Sequence, residues 1–194
     1  FAETTVYSTD FEADAAGFTS SGTLNEWERG LPATLPTATA NPVAGFNSCS
    51  SGTNCFKTDL DGTYDFSSTH DLLSPNINLA GLSPPVVVSW SHRYQLESAS
   101  FDHYHVDFRQ AGGGTSRRLF EWLDATMSNA PGNPVVQTPA AAGWAVRRVR
   151  ADELAGLNTE LLFHVDGDST VSFGGVAIDD VSVTACRALS ADLS

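Results

Sequence analysis

The chain has 194 residues, of which 41% are hydrophobic and 10% aromatic, and this composition supports a packed core in one domain. Its formal net charge is −13, from 10 basic and 23 acidic residues, so nucleic-acid backbones and anionic membrane surfaces would repel it. No apolar run approaches the ~20 residues that a membrane-spanning helix needs. We therefore expect neither nucleic-acid binding nor membrane insertion, and the acidic excess suits divalent cations or solubility in a secreted protein.

Strand signals recur along the whole chain, whereas helical periodicity is almost absent. Alternating apolar residues and β-formers predict strands near 5–12, 55–60, 69–74, 86–96, 102–110, 117–124, 144–150, 160–166 and 176–184. The best helix candidate is ADELAGL at 151–157, which is one or two turns long at most. The stretches 28–54 and 125–143 are rich in turn residues and predict loops. Because the strands on both sides of each loop have the same character, residues 1–194 are predicted to form one domain.

Two neighbouring strands show which of their faces is buried. In the strand at 86–96, the residues predicted to share the inner face are Val86, Val88, Trp90, His92, Tyr94 and Leu96. In the next strand Tyr104, Val106 and Phe108 are predicted to face inward, while His103, His105 and Asp107 face outward. Many half-buried antiparallel strands with long loops predict an all-β protein, an antiparallel β-sandwich of the jelly-roll type.

The chain has three cysteines, and two of them lie close together in SCSSGTNC. Cys49 and Cys55 are separated by five residues of a flexible loop, so we predict a local disulfide between them. Zinc binding would need further soft ligands nearby, and the local sequence offers none. Cys186 is left over, either free or bonded to a segment outside this sequence.

Five segments follow one order along the chain: YSTDFEADAAGFTSSG, LNEWERGLP, LLSPNINL, VSWSHRY and GVAIDDVSV. This order resembles the MAM domain and the MAM-like jelly rolls of secreted bacterial proteins, which are often accessory to extracellular proteases. The resemblance implies a sandwich of the MAM or concanavalin type and an extracellular location. The chain lacks the cysteine before Asp10 that animal MAM domains carry, which points to the bacterial branch. We expect it to be a processed fragment or module of a larger secreted protein, since it begins without a signal peptide.

Acidic residues near the two ends of the chain predict a cation site. Asp10 and Glu12 are two residues apart, so on one strand they would point to the same face. Asp179 and Asp180 lie in the last predicted strand, and first and last strands of a sandwich are commonly neighbours. Such a group of carboxylates would repel one another without a cation, and Ca²⁺ takes six to eight oxygen ligands. The resemblance likewise implies a structural Ca²⁺ held by Glu12 and one of Asp179 and Asp180.

Three further acids are candidate ligands, with solvated turn chemistry as the alternative. Asp59 precedes an Asp-Gly turn and could reach the cation from its strand. Glu97 and Asp102 bracket a loop and match an acidic pair of the bacterial MAM-like domains. Asp102 also has the core-facing parity of its strand, where a carboxylate without partners would be costly. The segment HVDGDS at 164–169 resembles a calcium turn, but an ordinary Asp-Gly hairpin is the prediction.

The histidines do not predict a catalytic metal site. His103 and His105 share an outer strand face, whereas the parity of His92 places it inside, so these three should not converge. The chain also has no His-Glu-x-x-His motif. A jelly-roll polysaccharide lyase or another glycan-active enzyme is the alternative function, and its nucleus would be His103, His105 and Arg109.

The function predicted from the sequence is a non-catalytic, calcium-stabilised accessory module that binds protein or carbohydrate. Sugar-binding sandwiches use exposed aromatic platforms, for which Tyr64, Phe101 and Trp144 are candidates, with ordinary packing as the preferred interpretation of each. A folding-aid domain for an attached protease would leave no distinctive sequence mark. The ligand and the parent protein are not encoded in any motif.

Overall fold

Twelve β-strands and one turn of 3-10 helix form the regular structure of residues 2–33, 47–123 and 143–187, which this computed structural model describes. The strands are β1 (Ala2–Thr9), β2 (Thr19–Ser21), β3 (Trp27–Gly30), β4 (Cys55–Thr58), β5 (Thr69–Leu73), β6 (Ile77–Asn78), β7 (Ser83–Gln95), β8 (His103–Gln110), β9 (Ser116–Glu121), β10 (Ala145–Arg150), β11 (Asn158–Asp166) and β12 (Gly175–Arg187). The predicted helix is reduced to a 3-10 turn at Asp152–Leu154. Within the described ranges, no helix has the length and apolar character needed to cross a membrane.

The strands form two antiparallel sheets that face each other, which confirms the predicted all-β sandwich. The first sheet has the order β10-β7-β12-β4-β3, and β1 also pairs with β12. The second has the order β2-β5-β11-β8-β9, and β6 also pairs with β11. The predicted strands are present with shifted ends. The short strands β2, β3 and β6 were not predicted, and β3 lies partly in the predicted loop 28–54. The predicted loop at 125–143 lies outside the described residues except for its last residue.

The core lies between the two sheets and contains the residues that were predicted to face inward. The six residues predicted to face inward on the strand at 86–96 are at most 1% exposed, and so are Tyr104, Val106 and Phe108 of β8. The ring of His92 packs in this core against those of Tyr104 and Phe120, at centroid distances of 5.7 and 4.8 Å. Removing so much aromatic surface from water supplies the main driving force for this packing.

The first and last strands are neighbours in the first sheet, as predicted. Strand β1 pairs antiparallel with the second half of β12, from Thr9 opposite Val181 to Ala2 opposite Arg187. The first half of β12 pairs with β4, so one long strand joins both neighbours. Between these halves, the register against β7 shifts by one residue at Asp180, whose φ of 49° marks a β-bulge.

Candidate functional site

Three carboxylates meet at one end of the sandwich, which we call the loop end. It consists of the loops 59–68, 96–102 and 167–174. Glu97 and Asp102 come from the β7–β8 loop and Asp168 from the β11–β12 loop. One carboxylate oxygen of each lies within 4.8 Å of the others, and no other group of three acids, histidines or cysteines within the described ranges comes this close. Glu97 and Asp102, two of the candidate ligands named from the sequence, thus lie in one cluster together with Asp168.

Hydrogen bonds fix Asp102 at the bottom of this cluster. Its side chain is fully buried, and the hydroxyl of Tyr64 donates to Oδ2. The backbone N–H of Asp168 donates to Oδ1 over 2.9 Å, and that of Glu97 to Oδ2 over 3.4 Å. Among the atoms that the structure describes, Glu97 Oε2 is buried and accepts no hydrogen bond. One buried acceptor of the cluster thus has no hydrogen-bond donor among the described residues.

Burial and repulsion between the carboxylates disfavour the ionised forms of Glu97 and Asp102. Burial raises the pKa of Glu97, and the charges of Asp102 and Asp168 raise it further. Burial also raises the pKa of Asp102, although the hydrogen bond from Tyr64 acts in the opposite direction. Burial raises the pKa of the Tyr64 phenol as well, so Tyr64 stays a hydrogen-bond donor. A divalent cation would offset the repulsion, and oxygen ligands of this type suit Ca²⁺.

Exposed apolar side chains lie on the same three loops. Phe66 is 52% exposed, Phe101 51% and Val171 36%. Backbone hydrogen bonds join two of these loops, 59–68 and 167–174. The Ser67 N–H donates to the Asp168 carbonyl, and the Gly167 N–H donates to the Ser68 carbonyl. The loop end therefore combines a partly buried acidic cluster with the exposed side chains of Phe66, Phe101 and Val171, which we call the apolar rim.

Asp10 and Glu12 do not share a strand face, which corrects the sequence prediction. Strand β1 ends at Thr9, and Phe11 has a φ of 57° that turns its ring into the core, where it is 1% exposed. In this turn the Glu12 N–H donates to Asp10 Oδ1 over 3.1 Å. Asp10 is exposed, and it lines one pocket together with Asp180.

Glu12 is bound to the loop closed by the disulfide. The predicted bond between Cys49 and Cys55 is present, with Cα atoms 5.5 Å apart. Glu12 Oε1 accepts hydrogen bonds from the backbone N–H groups of Thr53 and Asn54 at 2.9 and 2.7 Å. These donors lower the pKa of Glu12. Glycine is favoured at position 52, where φ is 55° and a Cβ would lie 2.4 Å from the Glu12 carboxylate, so that another residue would displace this side chain.

Asp179 and Asp180 are bound to the same loop from the other side. The Ser51 N–H donates to Asp179 Oδ2 over 3.0 Å, and the Ser51 hydroxyl donates to Asp180 Oδ1 over 2.7 Å. Asp180 Oδ2 also accepts from the hydroxyl of Ser91 over 3.1 Å. Burial raises the pKa of Asp179 to about 6. The carboxylates of Asp179, Asp180 and Glu12 thus all accept hydrogen bonds from the loop that the disulfide closes.

Asp59 lies apart from these acids, beside a buried lysine. It follows the end of β4 with a φ of 52°, and its Oδ1 accepts from the Asp61 N–H over 3.2 Å. Lys57 is fully buried and donates from Nζ to the carbonyls of Thr58 at 2.9 Å, Gly62 at 3.2 Å and Asp59. The ammonium group supplies the positive charge in this turn, and its burial lowers its pKa to about 8.

Asp168 was missing from the predicted set, although the segment HVDGDS contains it. That segment was predicted to form a hairpin, and this prediction is wrong, because β11 and β12 belong to different sheets. The connection between them crosses the loop end and carries Asp168 to Glu97 and Asp102. The resemblance of HVDGDS to a calcium turn was the available signal.

The other predicted residues have separate positions. His92 Nδ1 lies 3.0 Å from the Tyr104 hydroxyl inside the core, whereas His103 and His105 are on the outer face of β8, as predicted. Arg109 donates to Glu160 over 2.8 Å. Of the three proposed platforms, only Phe101 is widely exposed: Tyr64 is 1% exposed, and half-buried Trp144 donates from its indole N–H to the Ser48 carbonyl. Cys186 is free and buried.

The fold and the loop end define the chain as an antiparallel β-sandwich domain, and comparisons with known proteins agree with that class. No family model matches the chain. It is similar to bacillopeptidase F of Bacillus subtilis (strain 168), with 27% identity over 175 residues that make up 90% of this chain and 10% of that protein. The chain thus spans about a tenth of the length of this curated relative.

Two solved structures have the same fold. The K1 cleaved adhesin domain of Lys-gingipain from Porphyromonas gingivalis is 19% identical, the match covers 93% of this chain and 97% of that domain, and the TM-score is 0.53. The K2 cleaved adhesin domain of Lys-gingipain is 16% identical over 94% of this chain and 99% of that domain, also with a TM-score of 0.53. At these identities the likeness concerns the fold.

Proposed function

We propose that this chain is a non-catalytic, calcium-stabilised binding module of a secreted bacterial protein, of the MAM-like type. The observation that carries the proposal is the acidic cluster of Glu97, Asp102 and Asp168 on the same loops as the apolar rim. A cation there would tie the β7–β8 loop to the β11–β12 loop. It would thereby hold the apolar rim in one conformation for a ligand.

Ca²⁺ is the cation that this cluster fits best. All three ligands are carboxylates, and hard cations prefer oxygen. The buried Glu97 Oε2 has no donor among the described residues, so a cation would satisfy it. Three side chains leave several of the six to eight coordination positions of Ca²⁺ for water or for ligand oxygens.

The ligand class is protein or carbohydrate. Phe66 and Phe101 each expose about half of their surface, and aromatic rings offer an apolar face to either a sugar ring or a side chain. Hydroxyl or carboxylate oxygens of such a ligand could enter the coordination positions left at the cation. Both features lie on the loop end, so they would act on one ligand together.

A role next to a secreted protease is supported by the comparisons. The chain resembles a tenth of bacillopeptidase F, which is what an accessory module of a longer protein would match. The sandwich also has the fold of adhesin domains from Lys-gingipain. We therefore propose an extracellular location and attachment to a hydrolase, with recognition rather than catalysis as the task of this domain.

A second Ca²⁺ position, at Asp10, Glu12, Asp179 and Asp180, stays a prediction. One observation favours it: Asp10 and Asp180 line a pocket of about 370 Å³ together with Ser8, Thr9 and Ser182. An ion there would have to share Glu12 and Asp180 with the donors of the disulfide loop. Asp59 is not proposed as a ligand of either position, since it lies next to the Lys57 ammonium.

The test is a binding screen against immobilised glycans and extracellular proteins, in calcium and in EGTA. We expect a ligand that is retained in calcium, released by EGTA, and lost in the double variant Phe66→Ser/Phe101→Ser. Val146→Ser, which removes an apolar side chain that is 69% exposed on β10, is the matched control and should retain binding. Ligand binding that is unaffected by EGTA and by the double variant would contradict the proposal. Cleavage of a polysaccharide by the purified domain would favour the lyase alternative instead.

A further inference from the structure

The three histidines that are not buried lie together on the outer face of the second sheet. The chain has five histidines, and His70 and His92 are fully buried. The remaining three, His103, His105 and His164, line one pocket of about 270 Å³ on the outer side of β8 and β11. His103 and His105 were predicted not to converge with His92. The third histidine on this face is instead His164 from β11.

The strand register places these side chains in a four-cornered arrangement. His105 lies directly opposite His164, and His103 lies directly opposite Asp166, on adjacent antiparallel strands. Such opposite pairs have Cβ atoms about 5 Å apart, and the two residues of each strand point to the same face. We call His103, His105, His164 and Asp166 the His3Asp face. Three imidazoles and one carboxylate provide the donor types and the number of ligands that a four-coordinate transition metal requires. In the conformation described, no three of their ligand atoms lie within 4.8 Å of one another, so binding needs side-chain rotation.

A carboxylate binds one nitrogen of His164, and another carboxylate lies close to one nitrogen of His105. His164 donates from Nδ1 to Asp71 Oδ1 over 2.6 Å, and His105 Nε2 lies 3.4 Å from Asp107 Oδ2. This leaves His164 Nε2 and His105 Nδ1 available to a ligand. A carboxylate on the second nitrogen is the arrangement that orients metal-binding histidines.

The two rings are stacked, with centroids 4.5 Å apart and an interplanar angle of 27°. Aiming both free nitrogens at one ion requires rotation of the rings about χ2, which is a soft torsion in histidine.

Arg118, the cation among the described residues that line this pocket, is already paired with carboxylates. Arg118 binds the Asp107 carboxylate and lies 3.1 Å from Glu121 Oε2. Asp166 and Glu121 add negative charge to the pocket wall. The net charge of the surroundings thus attracts a divalent ion.

We propose that the His3Asp face binds one Zn²⁺ at a site that is independent of the calcium positions. The site has imidazole ligands, which favour zinc over calcium, and it lies on two paired strands of a rigid sheet. It is a binding site on a sheet surface, and no catalytic step is assigned to it.

Calorimetric titration of tag-free protein with ZnCl₂, in buffer saturated with calcium, tests the site. We expect one Zn²⁺ per chain and at least a ~100-fold loss of affinity in His105→Ala/His164→Ala. Asp71→Asn removes only the carboxylate on His164 and should weaken binding by about 10-fold. Arg109→Gln changes a residue of the same strand that does not line the pocket, and it should bind Zn²⁺ like the parent protein.

Cobalt substitution gives a second readout that does not depend on the double variant folding. Co²⁺ bound to this ligand set should give the visible absorption bands of four-coordinate cobalt, and His164→Asn alone should remove them. Circular dichroism of each variant without metal checks that the sheets are intact. Absence of Zn²⁺ binding at millimolar metal, loss of binding in excess calcium, or unchanged binding in the histidine variants would overturn the proposal.

Discussion

The variant Asp168→Asn should have opposite effects on stability with and without calcium. Asparagine keeps the shape of the side chain and its acceptor oxygen, which binds the Thr170 N–H over 2.8 Å. It removes one of the charges that raise the pKa of Glu97 and Asp102. In EGTA, we therefore expect the variant to be as stable as the parent domain or more stable.

In calcium, the parent domain should gain stability that the variant lacks. Free Ca²⁺ at 100 times its dissociation constant stabilises a protein by about 2.7 kcal/mol if only the native state binds it. For a domain of this size, about 2–4 °C of melting temperature corresponds to each kcal/mol, so the shift should be about 5–11 °C. Asp168→Asn leaves two carboxylates and should lose most of this shift.

Differential scanning calorimetry in calcium and in EGTA measures both effects. Asp14→Asn is the matched control, because Asp14 accepts a similar hydrogen bond from the Ala16 N–H over 2.7 Å on an exposed loop. It should keep the full calcium shift. A parent domain that calcium does not stabilise, or an equal shift in Asp168→Asn, would refute the reasoning.

Three further predictions concern groups that the fold buries or fixes. Burial lowers the pKa of His70 to about 4, so stability should fall as the pH drops from about 6.5 towards 4, by about 2 kcal/mol at pH 5 from this residue. His70→Asn should flatten that part of the pH profile in urea unfolding, and an unchanged profile would contradict the assignment. Lys57→Met should cost about 2–4 kcal/mol in urea unfolding, because the carbonyls around the ammonium lose their donor, and a neutral result would contradict this. Glu12→Ala should speed hydrogen exchange of the Thr53 and Asn54 amides and expose the disulfide to reductant, whereas unchanged exchange would show that Glu12 does not hold the loop.

The fold was predictable because its main strands alternate clearly. In β7 and β8 the period of two assigns every inward residue correctly, including His92, whose polar ring finds a partner in Tyr104. The pairing of β1 with β12 and the local disulfide also followed from chain order and spacing. Each of these features depends on residues that are close in sequence or on a general property of sandwiches.

The positions that were not predicted depend on backbone turns and on long-range pairing. Phe11 has a positive φ, which is uncommon for a bulky residue. The sequence pattern around Asp10 and Glu12 therefore predicted that the strand continues beyond Thr9. Asp168 could be placed only after β11 and β12 were assigned to different sheets. Likewise, His164 meets His105 through a register that no local pattern encodes.

A crystal structure of the domain grown in millimolar CaCl₂, with anomalous data, tests the central claim most directly. The account predicts a Ca²⁺ ion about 2.3–2.6 Å from oxygens of Glu97, Asp102 and Asp168. It also predicts ordered loops that carry Phe66 and Phe101 around that ion. A structure in which the three carboxylates surround only water, while calcium is abundant in the crystal, would contradict the claim of a calcium-stabilised binding module.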